Sequence, residues 1–204
     1  MDTKECYSKI AQDFSNTRYS IWKKVKEFLD NIPVNSLVGD IGCGNGKNMT
    51  YRNDRLRYIG LDACPEFVEI CKKRGLDVQE GNILTLPYEN NFFDSIICIA
   101  VIHHLKTREN RINAFGELIR VSKNDGVMLV YVWSINRYDE TERRSFASKD
   151  EMVPYITNSG DVYYRYYHLY NTQELIDEIT EACELFKFKV KYLIKLYCLH
   201  PFDV

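Results

Sequence analysis

The sequence predicts an α/β fold in which a mostly parallel β-sheet carries helices on both faces. Short apolar runs alternate along the chain with stretches whose apolar residues recur at helical spacing. The first run, at 37–40, ends in Asp40 and is followed by glycines at 42, 44 and 46. Alternating strands and helices form βαβ units, and the carboxyl ends of their parallel strands meet at one edge of the sheet. We therefore expect a ligand site at that edge.

Length and composition predict one well-buried domain spanning residues 1–204. The chain is 45% hydrophobic, and its 27 Lys and Arg nearly balance its 29 Asp and Glu, so any basic surface must be local. The chain has no run of 18 apolar residues, and its first residues are too polar for a signal peptide. We expect a cytoplasmic protein, with the nucleus as a second compartment. The seven cysteines form no C-x-x-C pair, which favours reduced, structural cysteines and no metal site.

The elements follow in order from a helical lead-in at 1–33 to a core at 34–133. The lead-in holds two predicted helices, and the second ends before Pro33. Pro65 begins one crossover helix of the core, and 108–120 forms another. A turn at 123–126 introduces the last parallel strand. The predicted helices of the lead-in are 5–14 and 20–32, and the predicted strands of the core are 37–40, 56–61, 76–80, 93–99 and 127–133.

Residues 134–170 are predicted to form a long loop that determines the substrate. Its basic residues are Arg137, Arg143, Arg144 and Lys149. Tyrosines interleave with arginine at 163–170, a mixture that suits unpaired bases with phosphates nearby. The alternative is that these tyrosines line a core-facing strand and the arginines face solvent. Residues 171–204 then predict a helix with Asn171 as its N-cap and an antiparallel hairpin at 186–199.

The glycines after the first strand are typical of a nucleotide cradle, because they permit positive φ and close approach of a ligand. Their spacing differs from the phosphate-binding motifs G-x-x-x-x-G-K-[ST] and G-x-G-x-x-G. It resembles D-x-G-x-G-x-G, the first motif of class I S-adenosylmethionine-dependent methyltransferases. The resemblance implies a Rossmann-like class I methyltransferase fold, here with five parallel strands and the C-terminal hairpin making seven. It also implies S-adenosylmethionine as the cofactor, held by Asp40, Gly42, Cys43 and Gly44.

Later strand ends supply the rest of the predicted cofactor site. Asp62 lies 22 residues after Asp40 and can accept both ribose hydroxyls of an adenosine. Asn82 and Ile83 follow the third strand and can recognise the edge and face of adenine, although this class more often has Asp at 82. Ala100 follows the fourth strand at the same edge.

Three stretches narrow the resemblance to one family. They are 7–19 with Trp22, 99–105 with 131–133, and 165–170. Together they are similar to the eukaryotic tRNA wobble-uridine methyltransferases that esterify 5-carboxymethyluridine, a group that includes the methyltransferase domain of the eighth AlkB homologue. The resemblance covers essentially the whole chain. Two departures are a short basic insertion before residue 165 and an Arg-rich element reduced to Arg143-Arg144.

The resemblance implies methyl transfer to the carboxylate of 5-carboxymethyluridine at the tRNA wobble position. A carboxylate is ionised at neutral pH, so it needs orientation and shielding from water rather than a general base. An arginine fork can orient it. The predicted catalytic residues are Arg18, His103, Arg144 and Arg165. The predicted substrate contacts are Tyr19, Tyr131, Trp133, Tyr167 and His168. His104 is a second, less favoured candidate for contact with the substrate. Packing is the alternative for both histidines and for Tyr19 and Trp22.

The resemblance also implies a heterodimer with a small zinc-binding activator subunit. The strand at 76–80 is predicted to be a sheet edge, which a partner strand could extend while covering the helix face around Phe67 and Cys71. Two other functions remain open. One is a methyltransferase for a small-molecule carboxylic acid or a quinone, since the same cofactor motifs serve both. The other is a silent scaffold, against which the retained Asp40 and Asp62 argue.

Overall fold

A five-stranded parallel sheet forms the centre of the molecule. The computed structural model describes residues 2–135, 146 and 148–186. Its parallel strands are β1 (Leu37–Ile41), β2 (Arg57–Asp62), β3 (Val78–Glu80), β4 (Phe93–Ile99) and β5 (Ser122–Tyr131). Their order is β3-β2-β1-β4-β5, so the chain reverses direction across the sheet between β1 and β4. In open α/β sheets ligands bind at this reversal, beyond the carboxyl ends of the strands. The predicted fold class is confirmed.

Helices cover both faces of this sheet. They are α1 (Thr3–Thr17), α2 (Lys23–Asp30), α3 (Pro65–Lys73), α4 (Arg108–Val121) and α5 (Thr172–Leu185). Successive side chains of a strand point to opposite faces. Ile97 of β4 therefore packs with α2, whereas its neighbours Ile96 and Cys98 pack with α4 and α5. The predicted N-cap is confirmed, because the Asn171 side chain accepts the Glu174 amide at 2.9 Å.

A separate antiparallel hairpin, β6 (Asp150–Ile156) and β7 (Val162–His168), lies within the segment that was predicted to be a loop. Val153 pairs with Arg165, and both are buried. The alternative of a core-facing strand in the tyrosine-rich segment agrees with β7, although Arg165 is buried rather than solvent-facing. The sequence prediction missed β6, because its outward residues Met152 and Ile156 are as apolar as the inward Val153, which hides the usual polar alternation. The outward residues Met152, Ile156, Val162 and Tyr164 are exposed. The described residues thus form a sheet of five strands and a separate hairpin, rather than the predicted sheet of seven strands. Nearly all of the C-terminal hairpin predicted at 186–199 lies outside the described residues.

The predicted turn at 123–126 lies inside β5. Phe93 pairs with Ser122 and Ser95 with Val127, so the pairing of β4 and β5 is irregular between these points. An ideal Cβ on Gly126 would lie 2.6 Å from the Ser122 hydroxyl and 2.9 Å from the Lys123 carbonyl oxygen. The chain therefore does bulge tightly at this glycine, as the turn residues predicted, but strand pairing continues on both sides.

A buried ion pair joins α4 to α5. Arg111 donates from Nη2 to Glu178 at 2.7 Å, and the two side chains are 5% and 0% exposed. The Tyr170 hydroxyl donates to the same carboxylate at 2.8 Å. Glu178 therefore has both oxygens hydrogen-bonded, as a buried carboxylate requires.

β3 lies at the edge of the sheet, as predicted. The helix face that a partner was expected to cover is not free, because Phe67 and Cys71 are buried within this chain. Phe67 packs against Ala11 of α1, and Cys71 packs with Val78 of β3. Among the helices of the described ranges, none combines the length and apolar character that crossing a membrane requires.

Candidate functional site

A cavity of about 820 Å³ lies at the carboxyl edge of the sheet. Its walls come from α1, from the segments that follow β1 to β4, and from the hairpin. Helix α1 packs against both the hairpin and α3, with Ile10 near Tyr155 and Ala11 near Phe67, so it closes one side. The volume lies within the range of small-molecule and cofactor sites.

Most residues predicted to bind the cofactor line this cavity. Gly44 has φ of 54°, and an ideal Cβ on it meets no atom within 4 Å, so its backbone faces open space in the cavity. The Asp62 carboxylate is fixed at the end of β2, where it accepts the Gly44 amide at 2.8 Å and the Cys64 amide at 2.9 Å. The lining residues of the predicted set are Gly42, Cys43, Gly44, Asp62, Asn82, Ile83 and Ala100. This open glycine beside a held carboxylate fits an adenosine-containing cofactor.

Asp40 acts from behind the cavity wall. It is fully buried at the base of the glycine loop, and burial raises the pKa of its carboxyl group to about 7. Gly42 lines the cavity, and an ideal Cβ on it would lie 2.2 Å from Cγ2 of Val101. Gly42 is therefore also required for the approach of the Val101 side chain, which the sequence did not predict.

Ala100 ends β4 in a strained conformation. Its φ is 63°, which is uncommon for a residue with a Cβ and costs free energy. Its amide donates to the Tyr131 carbonyl oxygen at 3.0 Å, and the residue faces the cavity. The sequence carries no sign of this strain, although it placed Ala100 at the correct edge.

Two cations, Arg18 and Lys47, line the cavity near the glycine loop. Lys47 Nζ lies 5.3 Å from the ring centroid of Trp22, and Arg18 Cζ lies 5.5 Å from that of Phe14. Neither forms an ion pair with a residue that the structure describes. Burial, together with the charge of Arg18, lowers the pKa of Lys47 to about 8, although Asp40 opposes both effects. The sequence prediction did not include Lys47, although it directly follows the last glycine of the motif.

We expect Lys47 to make binding of the cofactor's carboxylate depend on pH. Lys47 is charged below its pKa of about 8 and neutral above it, so affinity should fall as the pH rises through that value. The affinity for S-adenosylhomocysteine should drop about tenfold between about pH 7 and about pH 9.5. Calorimetric titration of the native protein and of Lys47→Met measures this. Equal slopes in the two proteins would contradict the assignment, because titration of the ligand itself is common to both.

Arg165 enters the cavity from β7 and is surrounded by tyrosines. It is 6% exposed, and its Cζ lies 5.3 Å from the ring centroids of Tyr155 and Tyr167 and 5.7 Å from that of Tyr7. Within the described ranges no carboxylate pairs with it, and its Nε is buried without a hydrogen-bond partner. A buried cation without a counter-ion is costly. This cage, formed by Arg165 with Tyr7, Tyr155 and Tyr167, is therefore suited to receive an anion.

The structure places His104, rather than the predicted His103, on the cavity wall. His104 Nδ1 lies 2.8 Å from the Tyr166 carbonyl oxygen, and Nε2 lies 3.0 Å from the Tyr7 hydroxyl. Burial lowers the pKa of His104 to about 3, so it is neutral. His103 is fully buried and stacks on Tyr167 at 4.6 Å. Its two ring nitrogens have no partner among the described residues.

The other residues that were predicted to contact the substrate or to act in catalysis fall into three groups. Arg18, Arg165, Trp133 and Tyr167 line the cavity. Three others lie away from it: Tyr19 is 78% exposed, Tyr131 packs against Trp22 at 5.5 Å, and His168 is buried against Asp150 at 3.0 Å. Arg137, Arg143 and Arg144 fall outside the described residues, and their roles stay predictions.

Sequence reasoning also missed Tyr7 and Tyr155 as cavity residues, and it preferred His103 to His104. Tyr7 and His104 belong to stretches that carried the family resemblance. Tyr155 gave no signal of its own, because it reaches the cavity only through the unpredicted hairpin.

Comparison with known proteins identifies relatives of this chain. A family model described as a methyltransferase domain matches residues 39–130. The tRNA (carboxymethyluridine(34)-5-O)-methyltransferase of Schizosaccharomyces pombe is 34% identical, with 87% of this chain and 86% of that protein covered. The tRNA (carboxymethyluridine(34)-5-O)-methyltransferase alkbh8 of Xenopus tropicalis is 43% identical over 64% of this chain. The chain spans only 21% to 32% of the length of the first curated relatives that it matches.

A solved structure shares the fold. It is a methyltransferase of Haloferax volcanii in complex with the Trm112 methyltransferase activator. The TM-score is 0.55 at 20% identity, with 63% of this chain and 59% of that chain covered.

Proposed function

Because this chain belongs to the tRNA (carboxymethyluridine(34)-5-O)-methyltransferase family, we propose that it methylates the carboxylate of 5-carboxymethyluridine at the wobble position of the tRNA anticodon. S-adenosylmethionine is the proposed methyl donor. The product is the methyl ester of the modified uridine.

One observation carries this proposal: Arg165 lies in the cavity as a buried cation with no carboxylate partner among the described residues. A guanidinium binds a carboxylate through parallel N–H groups, which fixes the direction of the carboxylate as well as its position. Carboxymethyluridine differs from uridine by a carboxymethyl group, which carries one negative charge. The cage would bind that charge.

The cavity residues match the needs of this reaction. The substrate carboxylate is already ionised at neutral pH, so the neutral His104 is not required as a base. When bound, the cofactor supplies a methyl group on a positively charged sulfur. Gly44 and Asp62 would hold its adenosine, and Lys47 with Arg18 would hold its carboxylate. The aromatic walls would exclude water, and Arg165 would orient the nucleophilic oxygen at about 3 to 3.5 Å from the methyl carbon.

We also propose a methyltransferase activator subunit as partner, by analogy with the Haloferax volcanii complex. The family resemblance implies that this subunit is small and binds zinc. The exposed edge of β3 supports this, since a partner strand can pair with its free backbone groups. Lys4 and Glu80 form an exposed ion pair there at 3.1 Å, which would lie at the border of the contact with the partner. We further propose that the protein acts in the cytoplasm, with the nucleus as a second compartment.

The test is methyl transfer from labelled S-adenosylmethionine to tRNA from cells that cannot complete the wobble ester. The reaction is run with and without the activator subunit, and the nucleosides are then separated. We expect label in 5-methoxycarbonylmethyluridine. Unmodified transcripts of the same tRNA are the matched control and should stay unlabelled. Cofactor binding without tRNA labelling, even with the activator, would refute the proposal and favour a small carboxylic acid as substrate.

A further inference from the structure

Tyr7 lies between Arg165 and His104 in a chain of hydrogen bonds. Arg165 Nη1 lies 3.3 Å from the Tyr7 hydroxyl oxygen, and that oxygen lies 3.0 Å from His104 Nε2. His104 Nδ1 in turn lies 2.8 Å from the Tyr166 carbonyl oxygen. These hydrogen bonds thus connect α1, the segment after β4, and β7 at the cavity wall.

The direction of each of these hydrogen bonds follows from the Tyr166 carbonyl group. A carbonyl oxygen only accepts, so His104 Nδ1 carries the proton. Nε2 of the neutral ring then has a lone pair and accepts from the Tyr7 hydroxyl. A guanidinium only donates, so the same hydroxyl oxygen accepts from Arg165. Tyr7 is therefore fully oriented, with its proton on the histidine side.

This arrangement uses one corner of the Arg165 guanidinium and leaves another for a ligand. Nη1 is held by Tyr7, Nε is buried without a hydrogen-bond partner in the described part of the chain, and no described residue bonds Nη2. Nη2 is therefore the corner whose N–H groups a carboxylate oxygen can accept from. A carboxylate at this position would neutralise the guanidinium. The Tyr7 hydroxyl is neutral, so it holds Nη1 and leaves the positive charge uncompensated.

We propose that Tyr7 is a positioning residue that aims the Nη2 corner of Arg165 at the substrate carboxylate and so sets the preference for an acid over its neutral amide. This inference rests on the proposed function. Tyr7 acts through Arg165, and its ring also packs at 5.7 Å against Phe14 and at 5.9 Å against Phe67.

Tyr7→Phe tests this, because it keeps the ring and removes only the hydroxyl. We expect KM for the tRNA to rise about tenfold, with kcat and cofactor affinity changed by less than about threefold. The decisive readout is binding of 5-carboxymethyluridine against that of 5-carbamoylmethyluridine, as nucleosides. The native protein should prefer the acid strongly, and Tyr7→Phe should lower that preference about tenfold. Tyr51→Phe, which removes an exposed hydroxyl bonded to Asp30, is the matched control and should behave as native.

A double-mutant cycle separates positioning from general packing. If Tyr7 acts through Arg165, Tyr7→Phe should have no further effect on acid preference once Arg165→Met is present. An equal effect in both backgrounds would overturn the inference. If the native protein prefers the acid and Tyr7→Phe prefers it equally, the inference is overturned while the proposed function stands. A native protein with no preference overturns the proposed function and the inference together.

Discussion

Arg165→Met is expected to lower kcat/KM for carboxymethyluridine-containing tRNA about 10³-fold and to leave cofactor affinity unchanged. The variant loses two charge-assisted hydrogen bonds to the substrate carboxylate, each contributing roughly 1.5–3 kcal/mol. Arg165→Lys keeps the charge but loses the planar fork, so we expect an intermediate loss of about 10- to 100-fold. Single-turnover methyl transfer and calorimetry measure the two quantities separately.

The stability of Arg165→Met separates a binding role from a structural one. The native guanidinium is buried with no counter-ion in the described ranges, so the variant should unfold at the same temperature or a higher one. Arg57→Met is the control for loss of one positive charge. Arg57 is exposed, and its side chain donates to the Asn35 carbonyl oxygen. Retained activity in Arg165→Met, or a large loss of thermal stability, would contradict the assigned role.

Arg111→Ala is expected to lower the free energy of unfolding by about 3–5 kcal/mol. The variant leaves the carboxylate of Glu178 buried with only the Tyr170 hydroxyl as a strong donor. Urea unfolding followed by circular dichroism measures the change.

The same pair of helices offers a matched control for that prediction. Arg108 and Glu181 join α4 to α5 at the surface, where water screens the charges, so Arg108→Ala should hardly change the unfolding midpoint. Replacing both buried partners, as Arg111→Met with Glu178→Leu, should recover much of the lost stability. If Arg111→Ala and Arg108→Ala destabilise equally, the buried pair has no special role.

The sequence predicted the cofactor half of the site well because that half depends on local features. Gly44 and Asp62 each follow a parallel strand, and parallel strands bring their carboxyl ends together whatever the loops do. The substrate half depends on contacts between distant segments. His104 and His103 are adjacent in sequence, and only the packing of Tyr7 from α1 and Tyr167 from β7 decides which ring faces the cavity.

The hairpin shows a second limit of sequence reasoning. The inward residues of β6 could not be recognised, because Met152 and Ile156 on its outward face are as apolar as the buried Val153. The strain at Ala100 was equally invisible, since alanine is compatible with many backbone conformations and its positive φ results from tertiary packing.

The groups around Arg165 keep the same charge through the neutral pH range. His104 donates to the Tyr166 carbonyl oxygen and has a pKa lowered by burial to about 3, and burial raises the pKa of Tyr7. Arg165 keeps its charge throughout the range in which proteins are folded. Asp40 and Lys47, whose pKa values lie near 7 and 8, belong to the cofactor side of the site. Mild acidification should therefore change the cofactor side while leaving the proposed capture of the substrate carboxylate by Arg165 intact.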